Sequence, residues 1–483
     1  MSVLKRICAE PANLELRLVY ADQLSERGDP RGTFIAQQCQ LSRTDRLDDA
    51  YAPLLASTRR LEAKHAASWL GDLTPPKPGD FSRLEVSPTF NAVFKNGFLY
   101  RIATTEQDLA SRWKTLSERE PLAGVELLVG ESVEPTERPE AAGFRALKVS
   151  PDSWFTANSV GTALAWGMPL LEDLDLSGCD LGPTGARLLV NLETDLGDTF
   201  EGWKAPPPFR NGQLKHLVLH GCGLHDDGAL LLFGAESLVG LRTLTLSQCR
   251  LTQAATLDAL KRSPHLTGLI SLSLSGNTEL GGHFTQLAGW AALPKLERLA
   301  LPQTVTANDV RALFPTPSKA LREFDLTSAK ALLTSPSAVL ALAEAFTSLD
   351  LGLTAVGDAG WTELMPAPAL RRLVELHANG CSLSDDAIEV LTTKGPDRLV
   401  TLDLSSNKLT DEGLTMLAEW PGLEHVAQLR VGNNRKVTAA GYRALVEAPS
   451  FSPALLDVGK VTDAKLVAAL KERFGPTAVI SSA

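Results

Sequence analysis

The sequence predicts an α/β solenoid, a curved horseshoe of stacked coils with a parallel sheet on its concave face, helices on its convex face, and a small helical domain in front. The first observation is a motif of the form Leu-x-x-Leu-x-Leu-x-x-(Cys/Asn)-x-Leu, which runs from Leu171 to Leu181 and recurs from Leu399 to Leu409. The second is its period of about 27 residues, which is typical of stacked repeats. The third is a helix-start signal after several copies of the motif.

Each Leu-x-Leu core alternates with period two and is therefore predicted to be a short strand. Its leucines point into the stack and the residues between them point to the concave face. The last core position of successive coils is Leu176, Leu219, Leu246, Leu274, Leu301, Leu326, Leu351, Ala378, Leu404, Val431 and Val458.

The second half of each coil is predicted to be a helix. Ser384, Thr410 and Thr462 are each followed by acidic residues and then by apolar residues at helical spacing. A hydroxyl N-cap followed by acids in the first turn favours a helix start. Strand and helix thus alternate within one repeat.

Four of the six cysteines share one motif position with three asparagines. A cysteine there is predicted to be a small buried residue with a free thiol, and an asparagine to bond the turn backbone of neighbouring coils. The position is held by Cys179, Cys222, Cys249, Cys381, Asn277, Asn407 and Asn434.

Three zones follow along the chain. Residues 1–72 read as a helical domain, residues 73–89 as a stiff proline-rich linker, and residues 90–483 as the repeat array. One interval of the array is too long, which predicts an insertion at residues 192–213.

These repeats resemble the leucine-rich repeat proteins of the ribonuclease-inhibitor-like type, in which a full helix follows each strand. The stretch from Arg17 to Gly32, with Asp22, Gly28 and Asp29-Pro30, resembles the bacterial repeat-companion domain, although Gln23 stands where that family typically has tryptophan. The second resemblance implies a bacterial origin and transfers no activity.

Charge and hydropathy exclude some classes of partner. The chain has 483 residues and a formal net charge of -10, which argues against a nucleic-acid partner. No apolar run approaches the ~18–20 residues that cross a bilayer, and the N-terminus has charges where a signal peptide is apolar. A cytoplasmic protein is therefore expected.

An acidic patch is predicted on the concave face, because neighbouring strands lie only ~4.8 Å apart. It suggests a docking surface for a protein partner with a basic surface; the alternative is a solvated face that keeps the protein soluble. The patch and its flanking charged residues are Glu323, Asp325, Asp350, Glu375, Asp403, His377, Arg298 and Arg430.

The docking hypothesis requires a free inner face, and an inner face filled by the N-terminal segment would contradict it. The predicted insertion offers a second recognition element, because its Trp203 and Phe209 could anchor a partner. The alternative is that both aromatic residues only cap the neighbouring coils.

Neither a metal site nor a catalytic site is predicted. His216, His220, Cys222 and His225 are close in sequence, but residues 216 and 220 would be ~13 Å apart on a strand, too far for one zinc ion. No nucleophile elbow and no phosphate-binding loop appears. No cofactor and no enzymatic activity are therefore expected.

The predicted function is a non-catalytic scaffold that binds a protein partner on the concave face. One alternative is regulation of a small GTPase, since the array resembles the Ran GTPase-activating proteins, but fold alone does not fix function. Another is inhibition of an enzyme by plugging its cleft.

Overall fold

The computed structural model describes residues 2–71, 92–105, 113, 115–129, 143–151, 168–190, 212–475 and 478–482. The chain divides into two compact units. Unit 1 is Met1–Tyr20 with Asp72–Ala300, and unit 2 is Ala21–Gly71 with Leu301–Ala483. The predicted linker at 73–89, most of the predicted insertion, Trp203 and Phe209 lie outside the described residues.

The strands of unit 1 pair in chain order. The first two are antiparallel and every later pair is parallel. They are β1 (Ala92–Lys95), β2 (Phe98–Thr105), β3 (Gly124–Val129), β4 (Ala146–Pro151), β5 (Asp173–Asp175), β6 (His216–Val218), β7 (Thr243–Thr245), β8 (Ser271–Ser273) and β9 (Arg298–Ala300).

The strands of unit 2 also pair in chain order, and all the pairs are parallel. They are β10 (Glu323–Asp325), β11 (Ser348–Asp350), β12 (Glu375–His377), β13 (Thr401–Asp403), β14 (Gln428–Arg430), β15 (Leu455–Lys460) and β16 (Val479–Ser482).

Among the residues that the structure describes, four helices precede the strands, and the later helices lie between strands. The first four are α1 (Val3–Ala9), α2 (Leu14–Ser25), α3 (Pro30–Leu41) and α4 (Tyr51–Leu70). The others are α5 (Gly182–Leu189), α6 (His225–Phe233), α7 (Ala254–Arg262), α8 (Ala307–Leu313), α9 (Pro336–Leu340), α10 (Gly357–Leu364), α11 (Asp385–Lys394), α12 (Asp411–Glu419), α13 (Ala439–Glu447) and α14 (Ala464–Phe474). The predicted solenoid with a helical N-terminal region is confirmed.

The core of each unit is a stack of aliphatic side chains, as the period-two pattern predicts. In unit 1, Leu272 and Leu274 are buried, and in unit 2 Leu402 and Leu404 are buried. Burying this apolar surface is the main driving force for stacking the coils. Residues such as Glu375 and His377, which flank an inward leucine, face away from that core.

Two of the three predicted helix starts are confirmed. The side chains of Ser384 and Thr410 accept hydrogen bonds from the N–H groups of Asp386 and Glu412. The third prediction is wrong by one residue, because Asp463, and not Thr462, caps α14. A carboxylate accepts N–H groups as well as a hydroxyl does, and here it lies closer to the helix.

The cysteine and asparagine position has the predicted role at the turn. Asn277 Oδ1 accepts from the N–H groups of Cys249 and Leu251, and its Nδ2 donates to the carbonyls of Leu246 and Leu274. Cys179, Cys222, Cys249 and Cys381 are fully buried free thiols. The Cys249 Sγ donates to the carbonyl of Leu219 at 2.9 Å.

Carboxylates at the helix starts link consecutive coils. The buried Asp226 of unit 1 accepts from Thr252 and Gln253 N–H groups and from the Thr256 hydroxyl. Burial opposes ionisation of Asp226, but these hydrogen bonds outweigh it and lower the pKa of the carboxyl. The coil-to-coil connection is therefore strongest when Asp226 is charged.

Candidate functional site

The central residues of the unit 2 strands form one row across the inner face. The pairing register places Asp325 beside Asp350, Asp350 beside His377, His377 beside Asp403, and Asp403 beside Arg430. Adjacent strands are ~4.8 Å apart, so this central row brings charged groups close together. Arg298, which the sequence placed on the same face, belongs to unit 1.

The aspartates of the central row also close the turn that follows each strand. Asp325 Oδ1 accepts from Thr327 N–H at 2.8 Å, and Asp350 Oδ1 accepts from Gly352 N–H at 2.8 Å. In unit 1, Asp175 accepts from Ser177 N–H at 3.0 Å in the same way. This is the turn that aspartate forms with the backbone two residues on.

Sequence reasoning missed this structural role. The signal was available, because an aspartate recurs before the last core leucine and is followed two residues later by serine, threonine or glycine. Repulsion between the carboxylates is therefore offset in part by turn hydrogen bonds. One oxygen of each of these carboxylates accepts the turn N–H.

The charges of the central row are unequal. Burial and the neighbouring charge of Asp325 raise the pKa of Asp350, against the opposing effects of His377 and the Gly352 N–H. Asp403 is buried, with its Oδ2 3.7 Å from the Arg430 guanidinium. In the part of the chain that the structure describes, no lysine or arginine forms an ion pair with Asp325 or Asp350.

A second row precedes the central row, and the N-terminal segment lies on it. Arg59 donates to Glu375 Oε1 at 2.5 Å and also to the Thr401 hydroxyl. Arg46 forms an ion pair with Glu323. The expectation of an inner face free of the N-terminal segment is therefore wrong for unit 2.

This outcome could not be read from local sequence patterns, because residues 59 and 375 are far apart in the chain. The arrangement also changes the pKa of Glu375. Burial opposes ionisation, but the charge and hydrogen bond of Arg59, with smaller contributions from His377 and Arg46, lower the pKa below its usual range. Two predicted site residues, Glu323 and Glu375, already have cationic partners within the chain.

Unit 1 has a different inner face. Tyr100 donates to Asp173 at 2.5 Å, Asp173 Oδ1 lies 3.6 Å from His216 Nε2, and His216 Nδ1 lies 2.9 Å from the Thr243 hydroxyl. Burial lowers the pKa of His216, although the charge of Asp173 opposes this shift. On this face the carboxylate of Asp173 is bonded to neighbouring tyrosine and histidine side chains of the same unit.

Cys222 near His216 is not available as a metal ligand on that face. It is fully buried, and its Sγ donates to the carbonyl of Leu176 at 3.1 Å. Among the described residues, no cluster of three or more histidine, cysteine, aspartate or glutamate side chains is arranged to hold a metal ion.

Two coils match a known family model. Residues 167–190 and 399–418 match the leucine-rich repeat model. The solenoid is similar to leucine-rich repeat proteins. The ribonuclease-inhibitor-like subclass and the repeat-companion domain stay predictions.

One solved structure to which this chain is similar is the crystal structure of the Rad7 and Elc1 complex in yeast. The similarity has 17% sequence identity and a TM-score of 0.41, and it covers 68% of this chain and 81% of that chain. At these values the similarity carries no argument about function. Within the described residues, no helix is long and apolar enough to cross a membrane.

Proposed function

We propose that this chain is a non-catalytic interaction protein that binds a protein partner on the central row of unit 2, beside the second row that the N-terminal segment contacts. The observation that carries the proposal is the pair of adjacent carboxylates of Asp325 and Asp350. Repulsion between them makes a second negative charge unfavourable, and a partner's cation would relieve it. His377, Asp403 and Arg430 extend the proposed surface along the central row, and Glu323 and Glu375 border it.

The partner is proposed to present a basic surface. Complementary charge speeds association and selects between partners more than it sets affinity, so a few well-packed anchors are expected to supply most of the binding energy. Regulation of a small GTPase or inhibition of an enzyme would each be a consequence of such binding.

The experiment uses substitutions that remove charge and keep the turn. Asn replaces Asp at 325 and 350, because its side-chain oxygen still accepts the N–H two residues on. The matched control is Asp175→Asn, which changes the same turn position in unit 1. Full-length wild type and both variants are immobilised, and proteins retained from the native cell extract are identified.

The proposal predicts a protein that wild type and the Asp175→Asn chain retain and the Asp325→Asn/Asp350→Asn chain loses. Thermal unfolding of the three chains should be nearly the same, because the turn hydrogen bonds remain. Identical sets of retained proteins for all three chains would contradict the proposal.

A further inference from the structure

Helix α4 crosses several coils of unit 2. Its Arg59 contacts Glu375 of β12 and Thr401 of β13, and its Arg60 donates to the carbonyls of Glu424 and Ser452 at 2.7 Å each. These carbonyls lie in the coils that lead into β14 and β15. The helix is therefore seated on a groove that four consecutive coils form.

The apolar floor of this groove is made of small side chains. One residue before or at the start of each of four successive strands contributes to it, and alanines of α4 pack on them. The cluster consists of Val374, Val400, Ala427 and Ala454 from the coils and Ala52 and Ala56 from the helix, with Tyr51, Leu55 and Ala63 packed against it.

Alanine buries little apolar area, so each of these contacts stabilises the docked helix weakly. Small residues nevertheless let a helix backbone come close to the groove. Ala52, Ala56, Arg59 and Ala63 are spaced by four, three and four residues, which places them on one side of a helix. The groove thus selects a helix with small residues at this spacing and one arginine among them.

The polar contacts around the groove are open to water. The Arg59 and Glu375 side chains are 24% and 30% exposed, and Asp49, which pairs with Arg372 and Arg398, is 82% exposed. Ion pairs with this exposure are screened by salt and add little net stability. The start of α4 has no side-chain N-cap hydrogen bond either.

We propose that the groove at the starts of β12 to β15 is a helix-binding surface, that α4 is its resident occupant, and that the protein partner binds by displacing α4 with an arginine-bearing helix of its own. The last step rests on the proposed function. The partner helix carries small residues at the spacing of Ala52, Ala56 and Ala63, and its arginine replaces Arg59 on Glu375.

The first experiment needs no partner and measures amide hydrogen exchange of α4 in the full chain. Arg46→Gln/Arg59→Gln removes both guanidiniums from Glu323 and Glu375. The control is Arg262→Gln, which removes the ion pair with Asp258 in α7 of unit 1. We expect about two- to fivefold faster exchange in α4 of the double variant, in line with the small contribution of exposed ion pairs, and no change in α12 or in the control.

Unchanged exchange in α4 of the double variant would overturn the idea of a displaceable occupant.

The second experiment adds a fluorescein-labelled synthetic peptide of residues 45–65 to the full chain and measures the fluorescence anisotropy of the peptide. The peptide should bind the Arg46→Gln/Arg59→Gln chain about two- to fivefold more tightly than wild type, where α4 already occupies the groove. A peptide carrying Arg59→Glu should not bind, and equal binding by both peptides would overturn the assigned role of the arginine.

The third experiment separates this inference from the proposed function. Asp49→Cys/Arg398→Cys in a Cys8→Ser background allows a short bismaleimide to lock α4 in place, since Asp49 and Arg398 are in contact. A partner that the unlocked chain retains should be lost on locking and regained when the same chain is left uncrosslinked. Retention of the partner by the locked chain would overturn displacement and leave the proposed function standing. If the peptide binds but no charge-dependent partner is found, the groove stands without the proposed function.

Discussion

On the inner face of unit 1, hydroxyl side chains form hydrogen bonds with one another. On the inner face of unit 2, carboxylates form ion pairs with arginines of the N-terminal segment. In unit 1, Ser247 Oγ lies 2.6 Å from Ser273 Oγ and accepts from Ser275 at 3.0 Å. In unit 2, Glu375 pairs with Arg59. The same backbone therefore supports a face whose polar groups satisfy each other and a face that needs a cation from elsewhere.

Strand geometry and surface chemistry are set separately in this solenoid. Inward leucines determine that the coils stack, and the residues between them determine what the face can bind. A face of paired hydroxyls gains little from a charged partner, because its hydrogen bonds are already made. Unpaired carboxylates repel each other and favour cations.

The largest expected effect is shared by both units. Leu274→Ala in unit 1 and Leu404→Ala in unit 2 each remove a fully buried side chain, so each should lower the free energy of unfolding by about 2–5 kcal/mol. Urea unfolding measures this. The control Leu353→Ala, at a side chain that is 49% exposed, should change it by less than about 0.5 kcal/mol. Equal effects at 353 and 404 would show that the assignment of the core is wrong.

A stabilising effect that is lost as pH rises is expected in unit 2. Burial raises the pKa of Glu62 in α4 to about 7, against the charge of Arg59. The Glu62 carboxyl therefore binds its proton more tightly in docked α4 than in undocked α4. The stability of the docked helix falls as pH rises from about 4.5 to about 7. Glu62→Gln should stabilise docked α4 by roughly 1–3 kcal/mol at pH 8 and by nearly nothing at pH 4.

Amide exchange of α4 in the wild type and Glu62→Gln chains across this pH range makes the measurement. The exchange of α7 in unit 1 serves as the internal reference. A stabilisation of α4 that is independent of pH would show that the carboxyl of Glu62 is not buried against the sheet.

The reverse pH dependence is expected for the coil-to-coil carboxylate of unit 1. The pKa of Asp226 is lowered in the folded state, so its contribution is present above the unfolded value and is lost as pH falls through the folded one. Asp226→Ala should cost about 1–3 kcal/mol at pH 7 and progressively less below about pH 4. Urea unfolding at several pH values tests this. A constant cost would contradict the assignment of a charged acceptor.

The smallest effect is expected at the turn position that cysteine and asparagine share. The N–H groups of Cys222, Leu224 and Gly221 act on the Cys249 sulfur and partly offset the effect of burial, which raises the pKa of the thiol to about 11. Cys249→Asn should therefore change unfolding free energy by about 1 kcal/mol or less, because its amide oxygen can accept these groups. Asn277→Ala, which leaves several backbone groups unpaired, should cost more.

The repeat could be predicted from sequence because the residues that define each coil are close together in the chain. The spacing of Leu402 and Leu404, the shared position of Cys249 and Asn277, and the hydroxyl caps at 384 and 410 each depend on neighbours within one or two coils. The register of the central row followed from the same period. These parts of the prediction needed no knowledge of long-range contacts.

The occupant of the groove could not be predicted in this way. Contacts of Arg59 with Glu375 and of Arg60 with Glu424 join distant parts of the chain, and alanines at 52 and 56 look like ordinary helix residues. The turn role of Asp325 was visible in the sequence but was interpreted only as surface charge. Both features lie on or beside the inner face of unit 2, where side-chain contacts depend on distant parts of the chain as well as on the repeat.

The central claim is that the carboxylates of unit 2 hold a protein partner, and the partner's dissociation constant tests it most directly. It is measured for purified wild type, Asp325→Asn/Asp350→Asn and Asp175→Asn chains at low and high salt. We expect the dissociation constant of the Asp325→Asn/Asp350→Asn chain to be at least about tenfold higher than that of wild type at low salt, with a smaller difference at high salt. The Asp175→Asn chain should not differ from wild type. Equal dissociation constants for all three chains at low salt would contradict it.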